Sequence, residues 1–232
     1  MPKLNDAAMT KIIPGWTTGQ YEVPEWKFDG MPALIINHMI VGIVGNGQFS
    51  GGPRGQTVEY LASHPYIIEN QKKLLAAFRE KGYPVIFISV APNAIGWTPK
   101  WGFIYRMVNA TSPVGHMENP ELRELAQVIP EMGRRPEEPL VIHTGCCLFT
   151  GNNLDEMLRH LKVEDLVITG FTAHSTIYNS VIQATDKYFS VVVPRDSSGS
   201  PGRDEGNDEF VYNRMMPMYS LVTTTDDVIA HL

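Results

Sequence analysis

Cysteine is scarce in this 232-residue sequence, and its two copies, Cys146 and Cys147, are neighbours. Adjacent cysteines cannot link distant parts of a fold, which excludes the framework of a disulfide-rich secreted domain and favours a reducing compartment. The pair is interpreted either as two small packed residues or as a reactive thiol or metal ligand near a site.

An excess of positive charge is also lacking. The formal net charge is −6, and Lys and Arg are scattered along the chain, which argues against a nucleic acid as partner. Residues 1–11 have no apolar stretch of the kind found in signal peptides, and Asn37 and His38 interrupt the longest apolar run. We therefore predict no membrane insertion and a cytoplasmic location.

The composition and length suit one globular domain, with 43% hydrophobic and 19% charged residues. Residues 1–30 are rich in Pro, Gly, Trp and Tyr without a period, which predicts an irregular N-terminal arm. Residues 31–232 alternate helical patterns with short β-rich runs at 34–36, 85–90, 140–142, 166–169, 191–193 and 221–223. The helical patterns include one with an apolar face from Ile67 to Phe78 that ends before Gly82, and one around 210–219. This alternation predicts an α/β domain with a doubly wound, mostly parallel sheet and helices on both faces.

Two long connections interrupt this pattern. The Gly-rich segment 42–55 lacks the spacing of a phosphate-binding motif and is expected to form a flexible rim. The connection 91–138 contains six prolines and is predicted to be a substrate-binding wall for a flat or anionic small molecule. Alternatively its aromatic residues pack the loop or a subunit contact, and Arg54, Arg195 or Arg203 pairs with the anion. The side chains assigned to this wall are Trp97, Trp101, Phe103, Tyr105 and Arg106.

Four segments, spread from residue 33 towards the end of the chain, carry a family likeness. They are ALIINHM at 33–39, HTGCCLFTGNNL at 143–154, a segment that begins TGFTAHST at 169–176 and continues to 184, and LVTTTDDVI at 221–229. In order and spacing they resemble the isochorismatase-like cysteine hydrolases. The resemblance implies the α/β fold of that family and assembly as a homo-oligomer.

In that family an Asp follows the first strand, a Lys follows a middle strand and a Cys lies at a strand-to-helix turn. Here these positions hold His38, His143 and Thr176. The family's thiolate attacks a carbonyl with the Asp as base and the Lys as polarising group, so the resemblance implies hydrolysis of an amide or related bond. Isochorismatase activity itself cleaves a vinyl ether. Because all three groups are replaced, the chemistry has to follow from the residues present.

His38 and His143 fall at carboxyl ends of predicted strands, where open parallel sheets bind their ligands. Two neighbouring imidazoles in a partly buried pocket disfavour each other's protonation, so at least one stays neutral near pH 7 and can act as a general base. Thr176 is then a nucleophile or the group that holds an attacking water, unless it only caps or packs the helix. The backbone amides of Ser175 and Thr176, at a helix N-terminus, are expected to stabilise an oxyanion.

Three functions follow from these residues. The first is a hydrolase that cleaves a small-molecule amide, lactone or enol ether without a cofactor, with Cys147 and His174 helping to bind the substrate. The second is a non-catalytic protein that uses the fold to bind a ligand or a partner subunit. The third is a metal-dependent enzyme in which His174 joins His38 and His143 around a divalent ion.

Overall fold

The computed structural model describes residues 11, 15, 18–50, 56–92, 94, 101–201 and 207–232, with the backbone alone described for residues 103 and 104. The described strands are β1 Met31–Asn37, β2 Val85–Val90, β3 Leu140–His143, β4 Val163–Phe171, β5 Ser190–Pro194, β6 Ser198–Gly199 and β7 Leu221–Thr223. They form one seven-stranded sheet in the order β3-β2-β1-β4-β5-β7, with β6 paired to the end of β4. Every pairing between these strands is parallel.

The described helices alternate with the strands along the chain. They are α1 Gln56–Ser63, α2 Tyr66–Lys81, α3 Phe103–Thr111, α4 Pro120–Leu125, α5 Leu154–His160, α6 Tyr178–Asp186, α7 Asn207–Phe210 and α8 Thr225–Ala230. The regions 91–138 and 42–55, predicted as connections, contain α3, α4 and short helical turns that the sequence patterns did not indicate.

Strand β1 shows how the core is divided between two faces of the sheet. Leu34 and Ile36 belong to the apolar cluster that includes α2 and α8, whereas Ala33 and Ile35 belong to the cluster that includes α5 and α6. Successive side chains of a strand point to opposite faces, so a strand covered on both sides is apolar throughout. The predicted doubly wound α/β architecture, with helices on both faces, is confirmed.

Helix α2 ends where the sequence predicts. Its C-cap, Gly82, has a φ of 70°, and its amide donates to the carbonyls of Phe78 and Arg79. This left-handed conformation costs glycine least, and Arg79 and Lys81 place positive charge at the negative end of the helix dipole.

Two predicted segments differ from the observed ones. Val41–Gly45 is a π-helical turn with Ile43 and Val44 buried, so this part of the expected flexible rim is packed core; residues 51–55 lie outside the described residues. A Cβ at Gly42 would lie 2.6 Å from the Phe49 ring, so the glycine allows close packing rather than mobility. The predicted helix around 210–219 is divided into the end of α7, a π-helical turn and a 3-10 turn that contains Pro217, which has no amide hydrogen to donate.

Residues 18–30 of the N-terminal arm contain no helix or strand and lie against the C-terminal elements. Trp26 donates from Nε1 to Oδ2 of Asp227 at 2.8 Å, and its ring stacks on His231 with 4.2 Å between centroids. The Tyr21 hydroxyl accepts a hydrogen bond from the Val222 amide at 3.4 Å. Across the described residues, no helix has both the length and the apolar character needed to cross a bilayer.

Candidate active site

The candidate site lies at the carboxyl edge of the sheet, where β1 neighbours both β2 and β4. After β1 the chain proceeds to β2 and β3 on one side, and β4 then begins the other side. This reversal leaves a crevice at the strand ends, the usual ligand position in open α/β sheets. His38 follows β1, His143 ends β3, and the turn that contains Thr176 follows β4.

Gly170 brings the ends of β1 and β4 together. It lies opposite Asn37 in the register, has a φ of 107°, and a Cβ there would lie 2.0 Å from the Asn37 carbonyl oxygen. No residue with a side chain can occupy that space without moving the backbone. The Asn37 side chain in turn donates to the Phe171 carbonyl, which ties β1 to the turn after β4.

His38 and His143 are in direct contact. Their Nε2 atoms are 2.6 Å apart, and the rings stack with centroids 4.9 Å apart and an interplanar angle of 13°. Strand β2 separates β1 from β3, so the two backbones are about 10 Å apart and the imidazoles meet over the end of β2. His38 has a φ of 56°, a left-handed conformation that is uncommon for a residue with a side chain.

Both imidazoles are held in the neutral form. Burial lowers the pKa of His38 well below its usual value, and the neighbouring His143 lowers it further. Burial lowers the pKa of His143 to about 4, opposed in part by the backbone of Gly145. No described residue completes a hydrogen bond with Nδ1 of His143. At pH 7 one Nε2 therefore donates its hydrogen to the lone pair of the other.

A cavity of about 620 Å³ opens beside this pair. No described residue that lines it is an Asp, Glu, Lys or Arg, so its polar groups are hydroxyl, amide, thiol and imidazole groups. The described lining residues are His38, Ile43, Phe49, Ser50, Gln56, Thr57, Val90, Pro92, Tyr105, Met107, Val108, Thr144, Gly145, Cys146, Thr172, His174, Ser175, Thr176 and Pro201. Of the predicted site residues, the structure thus brings His38, Tyr105, His174, Ser175 and Thr176 to one cavity.

The other predicted site residues lie elsewhere. His143 has no exposed surface and sits behind His38, and Cys147 is buried. The Trp101 side chain is 84% exposed, and Arg106 is exposed one residue beyond Tyr105 on α3, which turns it about 100° away from the cavity. Arg195 pairs with Glu209 at 3.3 Å rather than facing the cavity. Trp97, Arg54 and Arg203 lie outside the described residues, as does the Phe103 side chain.

Cys146, rather than Cys147, faces the cavity. Its thiol donates to the Tyr105 hydroxyl at 3.3 Å, and this contact, with burial, raises the pKa of Tyr105 to about 12. Burial raises the pKa of the Cys147 thiol. The sequence could not distinguish the two cysteines, because the alternation of side chains that a strand imposes ends with β3 at His143.

A π-helical turn, Ala173–Ile177, positions Thr176 ahead of α6. The amides of Ser175 and Ile177 both donate to the Thr172 carbonyl, at 3.2 and 3.1 Å. The Ser175 amide is therefore engaged within the turn, contrary to the expectation that it faces an oxyanion. Ser180 donates from its hydroxyl to the Thr176 carbonyl and accepts from the Leu148 amide at 3.0 Å.

His174 is fixed by a chain of polar side chains that the sequence patterns did not reveal. Its Nδ1 lies 2.9 Å from the Ser200 hydroxyl, and the Asn207 side-chain amide donates to the same hydroxyl at 3.0 Å. Burial lowers the pKa of His174, opposed by the charge of Asp208. The position of Ser200 just beyond β6, at the carboxyl edge of the sheet, is the signal that could have identified it.

The histidines do not assemble a metal-ligand cluster among the described residues. No group of three or more His, Cys, Asp or Glu side chains is arranged to hold a metal ion in that part of the chain. The 2.6 Å separation of the two Nε2 atoms is that of a direct hydrogen bond.

Comparisons with known proteins agree with this architecture. N-carbamoylsarcosine amidase from Arthrobacter sp is 26% identical over 172 residues, which cover 72% of this chain but only 61% of the amidase. A cysteine hydrolase from Pseudomonas syringae pv. phaseolicola 1448A superposes with a TM-score of 0.71 at 18% identity, covering 90% of this chain and 96% of that one. An isochorismatase family protein from Burkholderia thailandensis superposes with a TM-score of 0.67 at 22% identity, covering 91% and 99%.

These structural likenesses show a shared fold. The family itself is shown by the sequence, because residues 32–227 match the model of the isochorismatase domain. That range includes β2 to β7, all of β1 except its first residue, and all the candidate site residues described above. The chain belongs to the isochorismatase family.

Proposed function

We propose that this protein is a hydrolase that cleaves a small molecule at an amide-type carbonyl, without a cofactor, in the cavity beside His38. The observation that carries the proposal is the hydrogen bond between His38 and His143 at the wall of a cavity that Thr176 also lines. The pair supplies a neutral base, and Thr176 supplies a hydroxyl. The similarity to an amidase favours an amide over a lactone or an enol ether.

His38 is the proposed general base. Its Nε2 is engaged with His143, so Nδ1 is the ring nitrogen left to take a proton in the cavity. With a lone pair on Nδ1, the hydrogen of His38 is on Nε2 and is donated to His143. When Nδ1 takes a proton, this hydrogen bond becomes charge-assisted and stabilises the imidazolium, which offsets part of the cost of burial. His143 is then a positioning residue, because it does not reach the cavity.

The proposed reaction begins with transfer of a proton from an oxygen nucleophile to Nδ1 of His38. That oxygen, from water or from Thr176, bonds to the carbonyl carbon, and the π electrons of the carbonyl move to its oxygen. The electron pair on the oxyanion then re-forms the carbonyl double bond as the carbon–nitrogen bond breaks, and the nitrogen leaves with the proton held by His38. If Thr176 is the nucleophile, water repeats the cycle on the resulting ester; the net reaction adds one water across the amide.

The lining of the cavity favours a substrate that is uncharged where it meets the described residues. The described lining groups, among them Thr57, Tyr105 and Thr144, can donate and accept hydrogen bonds but carry no formal charge at neutral pH. Desolvating a charged group among them would be costly without a counter-ion. This proposal replaces the expectation of an anion held by Arg106.

The test is turnover of a substrate panel by matched variants. N-carbamoylsarcosine, simple amides, a lactone and an enol ether are incubated with the protein, and products are followed by chromatography. His38→Asn removes the imidazole while keeping a residue that tolerates the left-handed backbone, and His143→Gln removes the imidazole that contacts His38. His160→Asn, at an exposed position in the last turn of α5, is the control.

We expect turnover of at least one amide, a loss of about 100-fold or more in kcat for His38→Asn, and no change for His160→Asn. Full activity in the folded His38 variant contradicts the proposed base. Binding of panel compounds without turnover by the unmodified protein contradicts the hydrolase and supports the non-catalytic alternative. Circular dichroism of each variant separates loss of chemistry from loss of fold.

A further inference from the structure

The hydrogen bonds around Ser200 determine which nitrogen of His174 carries its hydrogen. The Asn207 side chain approaches both the backbone carbonyl of Ser200, at 2.8 Å, and the Ser200 hydroxyl, at 3.0 Å. A carbonyl oxygen can only accept, so the group of Asn207 that faces it must be the NH₂ group. The same NH₂ group is therefore the donor to the Ser200 hydroxyl.

The hydroxyl of Ser200 must then donate elsewhere. Ser200 is 1% exposed, and its hydroxyl has two hydrogen-bond partners among the described residues, Asn207 and Nδ1 of His174. Because Asn207 donates, Nδ1 of His174 is the acceptor available to the hydroxyl hydrogen. The opposite arrangement would leave a buried hydroxyl hydrogen without an acceptor in the described part of the chain, which is costly. Nδ1 of His174 therefore carries the lone pair, and Nε2 carries the hydrogen.

His174 lines the cavity and its Nδ1 is engaged with Ser200, so Nε2–H is the ring donor left for a bound molecule. Burial keeps the imidazole neutral, since it lowers the pKa of His174 more than the nearby Asp208 raises it. A neutral imidazole fixed in one tautomer is an effective donor to a carbonyl oxygen that gains negative charge during a reaction. One of the two backbone amides expected at this position, that of Ser175, is engaged with Thr172, so a side-chain donor would supply a hydrogen bond that this amide does not.

We propose that His174, held by Ser200 and Asn207, presents Nε2–H to the carbonyl oxygen of the substrate and stabilises the oxyanion that forms there. The role of His174 as oxyanion donor rests on the proposed amide hydrolysis, whereas the assignment of its tautomer does not. His174 is then a catalytic residue rather than a binding residue alone, and Ser200 and Asn207 are positioning residues. The substrate class that fits is a neutral carbonyl compound whose oxygen accepts one hydrogen bond from an imidazole.

The tautomer is tested by ¹⁵N NMR of protein labelled at histidine, in which protonated and unprotonated ring nitrogens have well-separated shifts. The His174 signals are assigned from their loss in His174→Gln. We expect Nε2 protonated and Nδ1 unprotonated in the unmodified protein, and a shift towards the other tautomer in Ser200→Ala. Ser220→Ala, which removes a hydroxyl bonded to Met216 away from the cavity, should leave the His174 signals unchanged. Protonated Nδ1 in the unmodified protein overturns the inference, whether or not the protein has activity.

The donor role is tested separately with acetamide, a small uncharged amide, in a binding measurement that needs no turnover. Titration should shift the Nε2–H signal of His174, and His174→Leu should bind acetamide more weakly. With a turned-over substrate, His174→Leu should lose about 100-fold in kcat with little change in KM, and His174→Gln, which keeps an N–H donor, should lose less. An unmoved Nε2–H signal or an unchanged kcat in His174→Leu overturns the donor role. Absence of turnover across the panel refutes the hydrolase while the NMR result stands.

Discussion

Nε2 of His38 and Nε2 of His143 lie within hydrogen-bonding distance, 2.6 Å apart, although their backbones belong to opposite sides of β2. Two neutral imidazoles satisfy this contact, whereas two imidazolium rings cannot, because both nitrogens would then be donors. The folded state therefore excludes a doubly protonated pair, and the stability of the protein depends on pH through these two residues.

The first prediction is a loss of stability on acidification. A histidine whose pKa is lower in the folded than in the unfolded state binds its proton more readily when the chain is unfolded. Its contribution to the free energy of unfolding is therefore complete at pH values above its unfolded-state pKa. That contribution is lost as the pH falls from the unfolded-state pKa to the folded-state pKa. For His143 the window runs from about 6.5 down to about 4, and the loss is on the order of 3 kcal/mol.

Urea denaturation between pH 7.5 and pH 4.5 measures this dependence. The slope of unfolding free energy against pH should be reduced in His143→Gln and unchanged in His160→Asn, whose imidazole is exposed. An acid slope that is equal in all three proteins contradicts the assignment to the buried pair.

The second prediction concerns the hydroxyl of Thr176. Thr176→Val should lower kcat by about 100-fold on any amide that is turned over, because the hydroxyl either attacks or holds the attacking water, and Thr176→Ser should stay within about tenfold. Intact-mass analysis after a rapid acid quench distinguishes the two roles, since only a nucleophilic Thr176 forms an ester adduct. Unchanged turnover in Thr176→Val would leave Thr176 a packing role alone.

The third prediction concerns the close approach of β1 and β4 at Gly170. Gly170→Ala should destabilise the fold by about 3 kcal/mol or more, because the added methyl group collides with the Asn37 carbonyl. Gly82→Ala is the control, since Gly82 also has a positive φ, 70°, but no described atom within 4 Å of the added Cβ, and it should cost only about 1 kcal/mol. Equal losses in urea denaturation would show that backbone conformation, not the collision, dominates.

The fourth prediction separates the two cysteines. Iodoacetamide should alkylate Cys146 at least about tenfold faster than Cys147, because Cys146 lines the cavity, whereas Cys147 is buried and its pKa is raised. Peptide mass spectrometry gives the two rates, and Cys146→Ser should abolish the fast phase. Faster labelling at Cys147 contradicts the described orientation of this loop.

Prediction from sequence was most successful where the physical signal is local and periodic. The apolar runs of β1, β2 and β4 and the helical face of α2 ending at Gly82 follow from side-chain alternation and helix capping, which operate over a few residues. Family likeness then selected the arrangement of strands, which periodicity alone does not determine. The cavity position of His38 and Thr176 follows from the rule that parallel sheets bind ligands at their carboxyl edge.

The remaining features depend on contacts between distant segments. No local signal shows that Cys146 rather than Cys147 faces the cavity, or that Ser200 and Asn207 hold His174, because these pairings form only when β3, β4 and β6 are assembled. The glycines of 42–45 indicated mobility in sequence, but Gly42 is required for close packing against Phe49. Composition alone could not distinguish these two uses of glycine.

Because β2 lies between β1 and β3, the contact between His38 and His143 depends on the register of both pairings of β2. A slip of one residue in either pairing of β2 would displace an imidazole by about 3.3 Å and turn alternate side chains to the other face. A chain with that mistake would have to bury two imidazoles without their mutual contact, at a cost added to the loss of core packing. The contact between the two imidazoles thus favours the observed strand register over its neighbours, and we expect variants that lack this contact to populate misregistered states more readily even where the fold survives.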